Sequence, residues 1–596
     1  MTQVREEIKN LILKSIKELQ KEGIFPDFPI PEIKIEHPEE KIHGDYATNV
    51  AMVICRSGLT RISTQKDAEK LTPIKVAEIL VAKLKDYKES RDFFEKIEVA
   101  KPGFINFFLK KEFFIEEIKR ILKEKNKYGQ SLIGEGKTVV IDYSSPNIAK
   151  PFGIGHLRST IIGQAIYDIY KFLGWRCIGD NHLGDWGTQF GKLICAVKKW
   201  ENAKDIKNLS LADLEKLYVK FHQEAEKDPK LEDEARIWFK KLEEGDREAE
   251  KIWKICVDVS LKEFDRIYEL LGVKIDYALG ESFYLGMLKD VIEEAKKKNI
   301  AMESQGALII KYPHNELPPA MILKSDEATT YLTRDLATVK YRLKRWKPDL
   351  IIYEVGADQE LHFKQLFKTV ELLGWTKRTK FFHVAHGLYR TKTGKFSTRK
   401  GKTVHLEDVL NEAIERAREI IEESETGRGL AEKEKKAVAK AVGIGAIKYN
   451  DLSQHYSKDI VFDWGKILNL KGNSSPYLQY TFVRCQSVLR KAKKIGNWKL
   501  EIGNWKDLKK EEEEILREIY KFPEVVQESA EKFSPNLICN FIFNLAQKYN
   551  LFYDLHPILK AETEELKIFR LALTESVAQV LKNSLFLLGI FAPEKM

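Results

Sequence analysis

Lys137-Thr138-Val139-Val140-Ile141-Asp142-Tyr143-Ser144-Ser145-Pro146-Asn147, followed by Gly153-Ile154-Gly155-His156, is the stretch whose reading decides the fold. The first seven residues carry an apolar run of the kind that forms a strand buried on both faces. Ser144 to Asn147 reads as a turn, because proline presets φ and Ser and Asn bond nearby backbone. From Leu157 the apolar residues fall at helical spacing (Ile161, Ala165, Ile166, Ile169, Leu173) and stop at Gly174. Trp175-Arg176-Cys177-Ile178-Gly179 then reads as another strand. Strand, glycine turn, helix and strand make a βαβ unit, the building block of a doubly wound parallel sheet. A second βα unit is predicted at Leu350 to Val355, turning at Gly356-Ala357-Asp358-Gln359, with Lys380 to Val384 as a further strand.

Working outward, Val4, Ile8, Leu11, Ile12, Ile16 and Leu19 form one helical stripe ending near Gly23. With strand-like runs at Ile97–Ala100 and Phe104–Phe108, they predict a small α+β unit ending near residue 115. Residues from about 197 to 270 are dense in Lys and Glu at helical spacing, so an α-helical insertion is expected there. Beyond residue 405 nearly everything reads as helix. The expected fold class is therefore α/β. It comprises a doubly wound, Rossmann-like domain with a helical insertion, a small α+β N-terminal domain and an all-α C-terminal domain.

The chain has 596 residues, 100 Lys+Arg against 90 Asp+Glu, 34 Gly and 18 Pro. At roughly 100–200 residues per domain this predicts several domains, each large enough to bury a core. The longest apolar run, Leu585 to Ala592, has eight residues, far short of the roughly 18 that a membrane span needs. The start, Met1 to Glu7, lacks the pattern of a signal peptide. A cytoplasmic chain with no membrane partner is the expectation. Six cysteines, never closer than 18 positions, exclude a disulfide framework or a tight zinc cluster; no structural metal is expected. A net charge of +10 identifies no partner until its placement is known.

Four stretches carry chemistry. Gly153-Ile154-Gly155-His156 opens a helix, where N–H groups favour phosphate and glycine admits a close ligand; a plain tight turn is the other reading. Arg390 to Lys402 holds six cations and no acid among 13 residues, suited to a triphosphate, to an RNA backbone or simply to solvent. Tyr331-Leu332-Thr333-Arg334-Asp335 opens a helix and sets a phenol and a carboxylate on one face, able to grip a cation. A helix cap, or a local Arg334–Asp335 surface pair, reads from the same residues. Lys471 to Leu500 carries seven cations, no acids and interleaved Tyr477, Tyr480, Phe482 and Trp498. That mix fits RNA, or the packing of a helix bundle.

Together these motifs resemble the arginyl-tRNA synthetases among class I aminoacyl-tRNA synthetases, across nearly the whole chain. Ser145 to Thr160 is similar to that family's version of the His-Ile-Gly-His signature, with Gly153 where the first histidine is expected. Asn181-His182-Leu183-Gly184-Asp185-Trp186-Gly187-Thr188-Gln189-Phe190 and Tyr331 to Asp335 resemble further family blocks. Gly387-Leu388 and Phe396-Ser397-Thr398-Arg399-Lys400-Gly401 resemble its Lys-Met-Ser-Lys-Ser loop, with Thr398 at the second lysine position. Gly472 to Tyr480 and the terminal Met596 resemble its anticodon-binding domain.

The resemblance implies an arginine–tRNA ligase. L-Arginine and ATP with Mg²⁺ would form arginyl-adenylate, and the 2′-OH of the terminal adenosine of tRNA(Arg) would take the arginyl group. Lys150, His156, Lys395, Arg399 and Lys400 would act at the phosphates, with Gly153, Gly155, Gly387, Leu388 and Ser397 around ATP. Ser145, Asn147, Glu281, Tyr331, Asp335 and Gln359 would hold arginine, and Tyr477, Tyr480, Arg484 and Met596 would meet tRNA. Implied domains are 1–115 for the tRNA elbow, 116–405 for catalysis, 406–469 as a helical connection and 470–596 for the anticodon, in a monomer. Two alternatives stay open: a tRNA-binding paralogue with impaired catalysis, and a class I ligase for another amino acid.

Overall fold

The computed structural model describes residues 4–56, 72–201, 206–391, 394–395, 405–495 and 508–596. The chain divides into two compact units. The first comprises Met1–Tyr128, Val488–Glu524 and Gln547–Val580; the second comprises Gly129–Ser487, Val525–Ala546 and Leu581–Met596.

In the first unit α1 (Val4–Lys21) forms as its stripe requires, with Ile8, Ile12 and Ile16 fully buried. Glu6 and Glu7 in its first turn and Lys21 in its last complement the helix dipole. Strands β1 (Tyr46–Thr48), β2 (Phe94–Ala100) and β3 (Phe104–Leu109) pair antiparallel in the order β1-β3-β2. Helices α2 (Val50–Arg56), α3 (Pro73–Asp86), α4 (Lys88–Phe93) and α5 (Lys111–Glu124) accompany this sheet. Glu524 holds its own segment to the N-terminal part of the unit: Tyr46 Oη donates to it at 2.8 Å, and Arg5 Nε lies at 3.1 Å.

The second unit is built on a five-stranded parallel sheet of order β11 (Lys380–His386), β10 (Leu350–Gly356), β4 (Thr138–Asp142), β5 (Arg176–Asn181), β6 (Tyr277–Ala278). Central β4 (Thr138–Asp142) is buried along its whole length, as a strand covered on both faces must be. Then follow α6 (Ile154–Phe172), β5 (Arg176–Asn181) and the helical insertion: α7 (Thr188–Trp200), α8 (Leu211–Lys227), α9 (Lys230–Glu243) and α10 (Arg247–Leu271). The insertion's ends are written in its sequence. Ser210 and Asp213 form a capping box on α8. Asp246 caps α10, which stops at Gly272 in the left-handed conformation.

Beyond β6 (Tyr277–Ala278) lie α11 (Leu288–Lys297) and an antiparallel sheet of β7 (Ala301–Ser304), β8 (Ala307–Ile310) and β9 (Ala320–Leu323). Helix α12 (Tyr331–Trp346), β10 (Leu350–Gly356), α13 (Glu360–Leu372) and β11 (Lys380–His386) complete the doubly wound layer. A third sheet joins β12 (Tyr389–Thr391), β13 (Gly394–Lys395) and β14 (Ile460–Val461). Otherwise the C-terminal part is helical: α14 (Leu406–Glu423), α15 (Glu425–Arg428), α16 (Glu432–Leu452), α17 (Trp464–Ile467), α18 (Ser475–Ile495), α19 (Lys510–Ile519), α20 (Phe522–Glu531), α21 (Asn536–Leu555) and α22 (Glu564–Leu587). Among the described residues no helix is long and apolar enough to cross a membrane.

Candidate active site

The carboxyl ends of β4 and β5 and the entrance of α6 make the site, where ligands bind in open α/β sheets. After β4 the backbone bends through Ser144, Ser145 and Ala149 at φ of 75°, 45° and 61°, the left-handed region that side chains resist. Side chains hold the bend. Ser144 N–H donates to Ser159 Oγ at 2.9 Å, and Ser145 N–H donates to Asn181 Oδ1 at 2.9 Å. Asn147 is left exposed at the rim, bridged to Gly184.

Gly153 caps α6, and its N–H donates to His156 Nδ1 at 3.1 Å. Nδ1 therefore carries the lone pair and Nε2 the proton, so the ring presents a neutral N–H. Burial, countered in part by the Gly153 bond and reinforced by Lys150, lowers this imidazole below its ordinary range and keeps it neutral. Gly155 is exposed, and a Cβ built there meets nothing within 4 Å. No acidic residue stands in this first turn. Open space over a glycine at a helix N-terminus fits a nucleotide. Lys150 is exposed, with Nζ 5.4 Å from the ring centre of Tyr218.

The acidic pocket is held by His182–Asp185, the same segment that bridges Asn147. Glu281 N–H donates to Leu183 O at 3.0 Å, and Ser282 donates to Asp185 through N–H at 2.9 Å and Oγ at 2.5 Å. A Cβ on Gly280 would lie 2.2 Å from the Asp185 carboxyl carbon, so only glycine lets this loop approach. Glu281 accepts from Arg334 Nη1 at 2.6 Å, and Asp335 Oδ2 lies 2.5 Å from His362 Nε2. His182 Nε2 is 3.7 Å from the other Asp335 oxygen. Arg334 and Asp335 therefore do not form a local surface pair; each reaches a different partner inside the pocket. Tyr331, on the same helix turn, is 70% exposed, and Gln359 is exposed in the turn after β10.

Burial pushes the Glu281 carboxyl up, although Arg334 and His182 oppose this. For Asp335, burial acts upward too, but the His362 bond and the His362, His182 and Arg342 charges hold it below the usual range. Arg342 anchors α12 beneath the pocket. Fully buried, it donates to Asp142 at 2.7 Å and Asp180 at 2.8 Å, one carboxylate from each of β4 and β5.

The basic loop begins on a hairpin that the structure fixes at its base. Gly387 N–H donates to Tyr456 O at 3.0 Å and Leu388 N–H to Asp459 Oδ1 at 2.7 Å. Lys395 pairs with Arg390 across β12 and β13. Ser397, Arg399 and Lys400 lie outside the described residues. In the C-terminal helices Arg484 lies 5.2 Å from the centre of the exposed Tyr480 ring, whereas Tyr477 is half-buried against Phe543. Phe482 is core. Trp498 lies outside the described residues. Met596 is buried, at the end of a tail that Gln479 holds by donating to Phe591 O at 2.7 Å. Among the described residues no three His, Cys, Asp or Glu side chains gather at a metal-binding distance.

Sequence reasoning passed over Arg334, His362, Asp185 and Arg342 as individual actors. Arg342 had a local signal, a cation seven residues after Asp335 and so on its face of α12. The Arg334–Glu281 contact spans 53 positions and had none.

A parallel sheet carrying this helix entrance at its carboxyl edge, interrupted by a helical insertion and followed by helices, is the class I tRNA synthetase architecture. The model for tRNA synthetases class I (R), catalytic domain, matches residues 117–464. Those for the arginyl tRNA synthetase N terminal domain and the DALR anticodon binding domain match 6–109 and 478–596. An arginine–tRNA ligase of Clostridium botulinum is 42% identical over 591 residues, 99% of this chain and 100% of its own. One from Clostridium perfringens is 45% identical over 525 residues, 88% of this chain and 91% of its own. A crystal structure of arginyl-tRNA synthetase from Plasmodium falciparum matches with TM-score 0.82 and 26% identity, over 100% of this chain and 99% of that one. The chain belongs to the arginyl-tRNA synthetase family of class I ligases.

Proposed function

We propose that the chain activates L-arginine with ATP and charges tRNA(Arg). Arginine's carboxylate attacks the α-phosphorus of ATP, and pyrophosphate leaves. The terminal adenosine 2′-OH then attacks the arginyl carbonyl and AMP leaves. No protein nucleophile takes part, so catalysis consists of positioning and of neutralising phosphate charge. The observation that carries the reading is the pocket of Glu281 and Asp335, held by the same four-residue segment that bridges Asn147.

Asn147 and Ser145 hold the amino-acid backbone, while Glu281, Asp335, Tyr331 and Gln359 receive the guanidinium. A site of carboxylate acceptors rejects lysine, which lacks the planar fork. Gly153, Gly155, Gly387, Leu388 and Ser397 enclose ATP. His156 donates its Nε2–H to a phosphate oxygen, and Lys150, Lys395, Arg399 and Lys400 add charge. Mg²⁺ arrives with ATP as part of the substrate. Residues 1–115 read the tRNA elbow, 116–405 catalyse, 406–469 connect, and 470–596 bind the anticodon arm through Tyr477, Tyr480, Arg484 and Met596. The working form is a cytoplasmic monomer.

The test is ATP–pyrophosphate exchange with each amino acid, with and without total tRNA. Exchange with arginine alone, dependent on tRNA, is expected. Tight tRNA binding with no arginine-dependent exchange would leave a catalytically impaired paralogue, and exchange with a different amino acid would refute the substrate.

A further inference from the structure

Glu281 meets a guanidinium even before substrate arrives. Its contact with Arg334 is a salt bridge at 2.6 Å between side chains only 17% and 13% exposed. That contact is single: Nη1 to Oε2. A carboxylate has about four lone-pair sites, so a one-point contact leaves acceptor capacity, whereas a two-point fork would have consumed the face. The Arg334 guanidinium also lies 5.4 Å from the centre of the Tyr331 ring, and its Nε is buried with no hydrogen-bond partner among the described residues. Glu281 and Asp335 thus share the pocket with an internal guanidinium.

We propose that Arg334 is a positioning residue of the arginine pocket: its guanidinium fixes the Glu281 carboxylate through one oxygen and leaves the other oxygen open to a substrate guanidinium. This rests on the reading that Glu281 and Asp335 receive the arginine side chain. With Arg334 absent, two buried carboxylates would face each other, and the pocket would take up a proton in place of its counter-ion. Facing Glu281 are Arg334 and Asp335 from α12 and His182 from the segment after β5, while Glu243 of α9 faces Arg334. Burial and the Asp335 charge both push the Glu281 carboxyl up, and Arg334 is the largest force opposing them.

The experiment is arginine binding by calorimetry and aminoacylation kinetics on the full chain, from pH 6.5 to 9. For Arg334→Gln the arginine KM is expected to rise at least about tenfold at the acid end of this range and to recover as pH rises, because a carboxyl without its counter-ion ionises at higher pH. The ATP KM should stay unchanged, and Arg334→Lys, which keeps the charge, should remain within about threefold of the parent. Arginine bound equally or more tightly by Arg334→Gln at the acid end would make Arg334 a bystander or a competitor and overturn the proposal. So would a loss that neither high pH nor lysine restores. Glu281→Gln separates the two levels: if it leaves the arginine KM untouched, the pocket assignment itself fails, whatever Arg334 does.

Discussion

Arg158 of α6 and Asp451 of α16 meet at 3.1 Å with side chains 1% and 0% exposed. The same guanidinium donates to Lys458 O at 2.7 Å and Tyr456 O at 3.1 Å. Tyr456 O also accepts from Gly387 N–H, at the base of the hairpin that leads into the basic loop. One buried fork therefore ties the helix carrying His156 to the hairpin carrying Lys395.

Removing one partner strands a buried charge. Arg158→Met alone is expected to cost about 3–5 kcal/mol, and the Arg158→Met/Asp451→Leu pair much less. Thermal melting of the four corners of this cycle checks it. A double variant as damaged as Arg158→Met would mean that the carbonyl bonds, not the ion pair, dominate.

Asp335→Ala should raise the arginine KM by about 100-fold or more, since the guanidinium loses a charged acceptor, and should spare the ATP KM. His362→Ala tests the neighbour. Asp335 is ionised above its lowered range, and without the His362 bond that range moves up. Arginine affinity in His362→Ala should therefore fall away at a higher pH than in the parent as the solution is acidified. Superimposable acid limbs would count against the His362–Asp335 coupling.

At Gly155 the fold has room and the proposed ligand does not. Gly155→Val projects into open space in the free chain, so the melting temperature should hold within a degree or two. If the nucleotide packs against this glycine, the ATP KM rises about tenfold or more, by the overpacking that an intruding side chain causes. An unchanged ATP KM would move adenine elsewhere.

Lys448 is buried, donating to Leu271 O at 2.8 Å and Gly589 O at 2.6 Å, and burial lowers its amine to about 8. An unfolded lysine titrates near 10.4. Between about pH 8 and 10.4 the unfolded chain then holds more protons than the native one, so this group makes stability rise with pH. Asp168, raised to about 6 by burial, does the reverse: its contribution is lost as pH climbs from about 4 to 6. Hydrogen exchange of residues 585–591 reports the Lys448 limb locally. Lys448→Met should abolish the slope above pH 8 while costing about 1–3 kcal/mol for the two carbonyls left without a donor.

Which parts of this were legible in the sequence follows from range. β4, α6 and β5 were, because one apolar run, two glycines and a helical stripe each declare themselves within 20 residues. The run from Tyr331 to Asp335 likewise announced the start of α12. The β7–β9 sheet was not read: Ala301–Ser304 leaves Met302 45% exposed and shows no clean alternation. β12 escaped for another reason, since its parallel partner β14 lies about 70 positions downstream. In the pocket, residue types at Glu281, Tyr331 and Asp335 were readable through family resemblance. Their partners Arg334, His362 and Asp185 were set by tertiary contacts that no local pattern encodes.

The left-handed bend at Ser144, Ser145 and Ala149 has a practical consequence for engineering. Each such residue holds about 1–3 kcal/mol of backbone strain. A search for thermostable variants would find Ala149→Gly there early, because glycine relaxes φ of 61° without steric cost. The same relaxation loosens the strut on which Asn147 stands, so the gain in melting temperature should arrive with a slower enzyme. In a stability screen blind to turnover, this hexapeptide is where heat resistance and catalysis would part company.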